Sequence, residues 1–161
     1  MASFSAPSTK PLPSHNFVVH VGITPIPFSR ISSLEIGVET EALSEGGENR
    51  FVHSLARPVA AEKSLVMERG VNCGLAGAVA SSTAASLRVG AVYNFLIICV
   101  LDQGGAPKKM YVANHAILKK RRFSDLNAMS GEVFVETLEF IYRDMTEVPD
   151  AAGLFSLLTG A

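Results

Sequence analysis

The sequence predicts a mainly β (α+β) fold, an antiparallel β-barrel or sandwich with one flanking α-helix. Three observations carry this. Residues 34–42 and 132–142 alternate apolar and polar side chains with the period of two expected of a half-buried strand. Residues 93–101, YNFLIICVL, are apolar on both faces and run into Asp102-Gln103-Gly104-Gly105, the composition of a hairpin turn. By contrast, residues 75–87 are rich in alanine and place Leu75, Val79 and Leu87 at helical spacing. One helix among five or more strands leaves a sheet that must curl or close on itself to bury its apolar face.

Taken in order, residues 1–15 hold three prolines and four serines without a period and read as an extended arm. A domain over 16–145 follows, and 146–161 form a C-terminal extension. Within the domain, the β-branched residues Val18, Val19 and Val21 mark a strand, which Pro25 and Pro27 break because neither can donate to a ladder. Leu34, Ile36, Val38, Thr40 and Ala42 then face one way along the clearest half-buried strand, with Glu35, Glu39 and Glu41 on the other. The polar turn 44–50, with adjacent Gly46 and Gly47, opens an irregular excursion through residues 51–58 that projects from the body. Residues 64–69 form a further strand, closed by Gly70.

After the helix and the apolar strand 93–101, residues 110–118 return as the second arm of a hairpin. The basic run Lys119, Lys120, Arg121, Arg122 follows, then a loop through residues 124–127. The last long strand, 132–142, sets Phe134, Leu138, Phe140 and Tyr142 on one face and Val133, Val135 and Ile141 on the other. Residues 151–158 are expected to add a short helix, with Asp150 as its N-cap.

Composition narrows the function. The chain has 161 residues and 48% hydrophobic content, enough for one ordinary core, and its formal net charge of -1 offers no general attraction to nucleic acid or anionic lipid. Cys73 and Cys99 belong to no CxxC pair and read as reduced, buried thiols. No apolar segment approaches the roughly 18 residues of a membrane span, and the N-terminal residues lack the apolar core of a signal peptide. The expected place of synthesis is the cytoplasm, before any assembly leaves the cell.

A series of features in fixed order identifies a family. The strand NFVVHVG at 16–22 leads to a Pro-Phe turn, the alternating strand, the loop Gly46-Gly47-Glu48-Asn49 and a strand ending in Arg69-Gly70-Val71. Later come a helix, a hairpin around Asp102-Gln103-Gly104-Gly105 and a strand with a basic end. Asp125-Leu126-Asn127-Ala128 and Gly131-Glu132-Val133 then open the last strand, which contains Glu136-Thr137-Leu138-Glu139. Together these resemble the tail tube proteins of contractile phages and extracellular contractile injection systems, a family similar in fold to the Hcp ring protein of type VI secretion.

The resemblance implies a structural, non-enzymatic subunit without a cofactor or metal, assembling into hexameric rings that stack into a hollow tube. Its lumen would carry a protein effector or DNA, and its partners would be further copies of itself, a sheath and a baseplate. Such a chain would end in a virion or an extracellular particle without inserting into a membrane. The helix region is rich in alanine and serine, the chain has no tryptophan, and the arm and tail lie outside the matched features. These departures suit the alternative of a baseplate-proximal ring that initiates the tube.

Stacking rings must stay soluble before they meet, which favours charged loops as the contacts. Glu45, Glu48, Asn49 and Arg50 on one loop, and Lys119, Lys120, Arg121 and Arg122 in the basic run, are the candidate inter-ring or sheath contacts. Rival chemistry has little support. The histidines His15, His20, His53 and His115 form no motif, and GxSxG and HExxH are both lacking. Gly74 and Gly77 at the helix start lack the Lys-Ser/Thr of a phosphate loop, and Glu45 and Glu48 lack EF-hand spacing. The basic run beside Phe123 leaves a small nucleic-acid-binding β-barrel as the alternative of a different class.

Overall fold

The computed structural model describes residues 11–37, 40–43, 53–56, 62–71, 87–129, 131–149, 153 and 156. The expected helix over 75–87 lies outside the described residues apart from Leu87, which is buried in the core. Cys73, most of the N-terminal arm and most of residues 150–161 also lie outside them, although Gly153 and Ser156 have helical backbone.

Ten strands are described: β1 Phe17–Val21, β2 Thr24–Ile26, β3 Arg30–Ser32, β4 Thr40–Leu43, β5 His53–Ala56, β6 Lys63–Gly70, β7 Val92–Leu101, β8 Pro107–Phe123, β9 Val135–Tyr142 and β10 Asp144–Val148. Eight of them form one antiparallel sheet in the order β2-β1-β7-β8-β9-β6-β3, with β10 also paired to β8. β4 and β5 make a separate two-stranded ribbon.

The sheet curls until residues from both of its sides meet in one core. Val19, Ile26, Leu65, Met67, Leu96, Ile98, Leu118, Leu138 and Phe140 are fully or nearly fully buried in it, and Phe17 and Ile31 pack against its margin. Each large apolar side chain so buried contributes roughly 1.5–3 kcal/mol relative to exposure. A second cluster occupies the outer face of β1, β7, β8 and β10: Ile97, Cys99, Leu101 and Met110 are buried there, flanked by Val18, Phe95, Val112 and Val148. Two-sided burial of the central residues of β7 is what its continuous apolar run predicts.

The expected closure into a barrel is not reached. Among the described residues no ladder joins β2 or β1 to β3, and each edge strand is only three residues long. Chemistry local to the chain keeps these edges short. Gly22, at φ 63, makes the two-residue turn from β1 to β2, and Pro25 sits opposite His20 on the edge, where a missing N–H leaves no ladder bond unmade.

Residues 34–37 are not a strand, contrary to their alternation. The Lys63 ammonium donates to the Gly37 carbonyl at 2.6 Å and the Tyr142 hydroxyl to the Glu35 carbonyl at 3.0 Å, so side chains take the acceptors that a neighbouring strand would need. Among the described residues of that run only Thr40–Leu43 are strand, and their partner β5 lies inside the expected irregular excursion. Alternation reports what a strand could bury. A partner has to be present for it to form.

β8 is longer than expected and takes the basic run into the sheet. It pairs with β7 on one side and with β9 and β10 on the other. Two irregularities bend it. At His115, with φ 54, inward-facing residues step by three, from Ala113 to Ala116, and a register shift between Leu118 and Lys120 does the same from Leu118 to Arg121. Such extra residues increase local twist, which lets one long strand follow a curled sheet. β10 was unforeseen and runs through residues 144–148 beside β8.

Candidate assembly surfaces

Among the described residues four surfaces stand out: the basic end of β8, the β4–β5 ribbon, the seam between β1–β2 and β3, and the loop from β8 to β9. Glu45, Glu48, Asn49 and Arg50 lie outside the described residues. The four basic residues of β8 do not act as one patch. Alternation and the register shift send them different ways.

Lys119 is exposed and binds Glu62 at 2.5 Å, with Glu139 at 4.0 Å, and the hydrogen bond to Glu62 raises its pKa above the ordinary lysine range. Lys120 and Arg122 emerge on the outer face beside Val66, Thr137 and Glu139, around a shallow groove of about 170 Å³. Arg121 turns inward. Its Nε donates to Glu136, whose other carboxylate oxygen accepts from Arg69 Nε at 2.5 Å.

Glu136 is fully buried and Arg69 nearly so, and they sit directly opposite one another on β9 and β6. This Arg69–Glu136–Arg121 triad was missed in the sequence, yet its signal is there. Glu136 interrupts the apolar face that Phe134, Leu138, Phe140 and Tyr142 share, and Arg69 continues the inward series Leu65, Met67. An acid and a base breaking two apolar faces at the same register are a buried ion pair awaiting its ladder. Arg121 also lies 5.1 Å over the Phe123 ring, and Phe123 stacks on Phe134 with centroids 5.7 Å apart.

Beyond this stack, the β8–β9 loop carries Leu126, Met129 and Val133, which are 83%, 95% and 69% exposed. Its base is pinned. Ser124 N donates to the Val135 carbonyl at 2.8 Å, Val135 N to Ser124 Oγ at 3.0 Å, and Met129 N to Asn127 Oδ1 at 2.9 Å. On the seam, Phe17, Ile31, Leu34, Ile98 and Val100 line a groove of about 390 Å³ with Arg30 among its lining residues. The β4–β5 ribbon exposes Leu55 and Glu41 alike, and among the described residues no third strand pairs with it.

The described histidine side chains do not converge. His15 and His115 are exposed, the His53 side chain lies outside the described residues, and His20 is buried. Both ring nitrogens of His20 are buried without a hydrogen-bond partner, and burial lowers its pKa. Cys99 is buried in the outer cluster, and burial pushes its thiol up to about 11. Among the described residues, no group of three or more His, Cys, Asp or Glu side chains could hold a metal ion.

Comparison with known proteins gives these surfaces a context. The family model for the T4-like virus tail tube protein gp19 matches residues 13–146. A chain from the cryo-EM structure of the anti-feeding prophage baseplate, six-fold symmetrised, is 30% identical; the match covers 87% of this chain and 97% of that one, with a TM-score of 0.65. Two further neighbours share the fold. A chain of the sheath–tube complex of the extracellular contractile injection system PVC, in its extended state, has 19% identity and a TM-score of 0.68, with 88% and 94% covered. A chain of the anti-feeding prophage tube-terminating cap has 18% identity and a TM-score of 0.69, with 92% and 99% covered. No curated protein matches the sequence. The chain belongs to the T4-like tail tube protein family, and it is a tail tube protein of contractile injection systems.

Proposed function

We propose, from its membership of this family, that the chain assembles into hexameric rings that stack into the hollow inner tube of a contractile machine. Cargo, a protein effector or DNA, would pass through the lumen once the surrounding sheath contracts. The observation that carries the ring is the unfinished sheet. Among the described residues β2 and β3 end it as short edges without a further partner, and the β4–β5 ribbon stands outside it with exposed apolar side chains. Isolated edges invite pairing with another chain, and a closed ring of identical subunits removes them.

A baseplate-proximal ring that starts the tube is the second reading. It is favoured by the 30% identity to a baseplate chain, against 19% and 18% for chains from a sheath–tube complex and a cap. The outer-face residues Lys120 and Arg122 suit a sheath or baseplate partner. A nucleic-acid role is weakened because Lys119 and Arg121 are already engaged by Glu62 and Glu136, which leaves half the basic run for phosphate. The subunit carries no catalysis in this reading.

Negative-stain electron microscopy over a concentration series, alongside the mass in solution, tests the proposal. Six-fold rings or hollow tubes are the expected result, and single rings that do not grow would favour the initiator. A monomer at every concentration, binding nucleic acid in a salt-sensitive way, would overturn it.

A further inference from the structure

We infer that the β8–β9 loop is a preformed knob and that the open seam of a second copy of this chain is its socket. The inference rests on the tube reading and names the contact that would propagate it. Leu126 and Met129 are 83% and 95% exposed, so the knob does not fill the seam of its own chain. Scattered exposed leucines are ordinary, but here three large apolar side chains, Leu126, Met129 and Val133, share one loop.

The loop is also held in shape. Two hydrogen bonds between Ser124 and Val135 close its base, and Asn127 caps Met129. Below that base lie the Phe123–Phe134 stack and the Arg121 guanidinium, fixed in turn by buried Glu136. A braced loop loses little conformational entropy on docking, which favours a binding role for exposed apolar residues. This gives the buried triad a use besides stability: it holds the stem that presents the knob.

The seam has the matching chemistry. Phe17, Ile31, Leu34, Ile98 and Val100 give it apolar walls, and its volume of about 390 Å³ suits a few side chains. Charge agrees as well. Arg30 at the seam has a largely exposed side chain and, among the described residues, a single distant ion-pair partner, Glu68 at 3.9 Å, while exposed Asp125 immediately precedes Leu126 in the knob. Apolar residues beside an acid meet an apolar groove beside a base. The contact is heterologous, since knob and socket are different surfaces, so each copy gives one knob and receives another. Repetition of such a contact closes into a ring or extends as a filament.

Variants with one added cysteine, in a Cys73→Ser background that keeps Cys99, test this directly. Leu126→Cys chains mixed with Leu34→Cys chains should form a disulfide-linked dimer on mild oxidation, and Leu126→Cys mixed with Lys120→Cys should not. Cys99 is buried with its thiol raised to about 11 and stays out of the exchange. In parallel, the Leu126→Gln/Met129→Gln variant, altered only at exposed positions, should keep its melting curve and lose tubes, rings or both. Tubes from this variant as from the parent, with no linked dimer, would overturn the knob and leave the tube reading standing. A parent protein that forms neither rings nor tubes would overturn both.

Discussion

Glu136 and His20 are buried on opposite faces of the same sheet, and the chain treats them differently. Glu136, on the inner face, has a guanidinium on each carboxylate oxygen. His20, on the outer face among Val18, Ile97 and Cys99, has nothing on either nitrogen. A buried carboxylate in an apolar setting is tolerable only when paired, because its desolvation costs several kcal/mol. An imidazole can instead give up its proton and stay neutral, at the expense of unmade hydrogen bonds. The inner face thus holds charge by partnership, and the outer face holds a polar group by neutralisation.

Removing the centre of the triad should break that contrast with the largest effect. Glu136→Gln leaves two guanidiniums facing a neutral amide, and breaking a buried pair in this way costs about 3–5 kcal/mol. Denaturant unfolding at fixed protein concentration measures it. Replacing all three residues with Leu or Met should recover most of the loss, since an apolar cluster of similar volume needs no counter-charge. Failure to recover would mean that the ionic set defines the end of the sheet and not merely its electrostatics.

The His20 contrast should appear as a pH slope. Its folded pKa is lowered from 6.5, so below that value the unfolded chain binds a proton that the folded one resists. The contribution of His20 to stability is complete above pH 6.5 and declines as pH falls toward the folded pKa, by at most about 1.4 kcal/mol per pH unit. His20→Leu should flatten this part of the profile, measured by thermal melts between pH 5 and 7.5. An unchanged slope would place its origin elsewhere.

The smallest effect is expected at the surface. Lys119→Ala removes an exposed pair with Glu62, and pairs of this kind are screened by salt and by water. Its melting curve should match that of the parent protein in moderate salt. A clear loss would show that Lys119 steadies the β8 irregularity in a way its exposure does not reveal.

Much of this was legible in order along the chain. β1, β6, β7 and β9 formed where β-branched or alternating residues pointed to them, and the Asp102 turn closed as its composition promised, with Asp102 Oδ1 accepting from Gly104 N and Ala106 N. Assembly surfaces were less legible. The charged run 119–122 carries no sign of which way each side chain faces, because sequence proximity hides direction. A single register shift sent Arg121 inward and left Lys120 and Arg122 outside.

The sequence by itself determined the strand-rich fold, the family and the inward and outward faces of most strands, because a period of two is a property of neighbouring residues. Only the tertiary structure decided which strands found partners. Residues 34–37 lost theirs to Lys63 and Tyr142, residues 53–56 gained one in β4, and the sheet stopped short of closing. It also decided that Glu136 would be shared between Arg69 and Arg121, groups 67 and 15 positions away in the chain. Such meetings depend on the register of paired strands, and local residue patterns do not specify which strands pair or where.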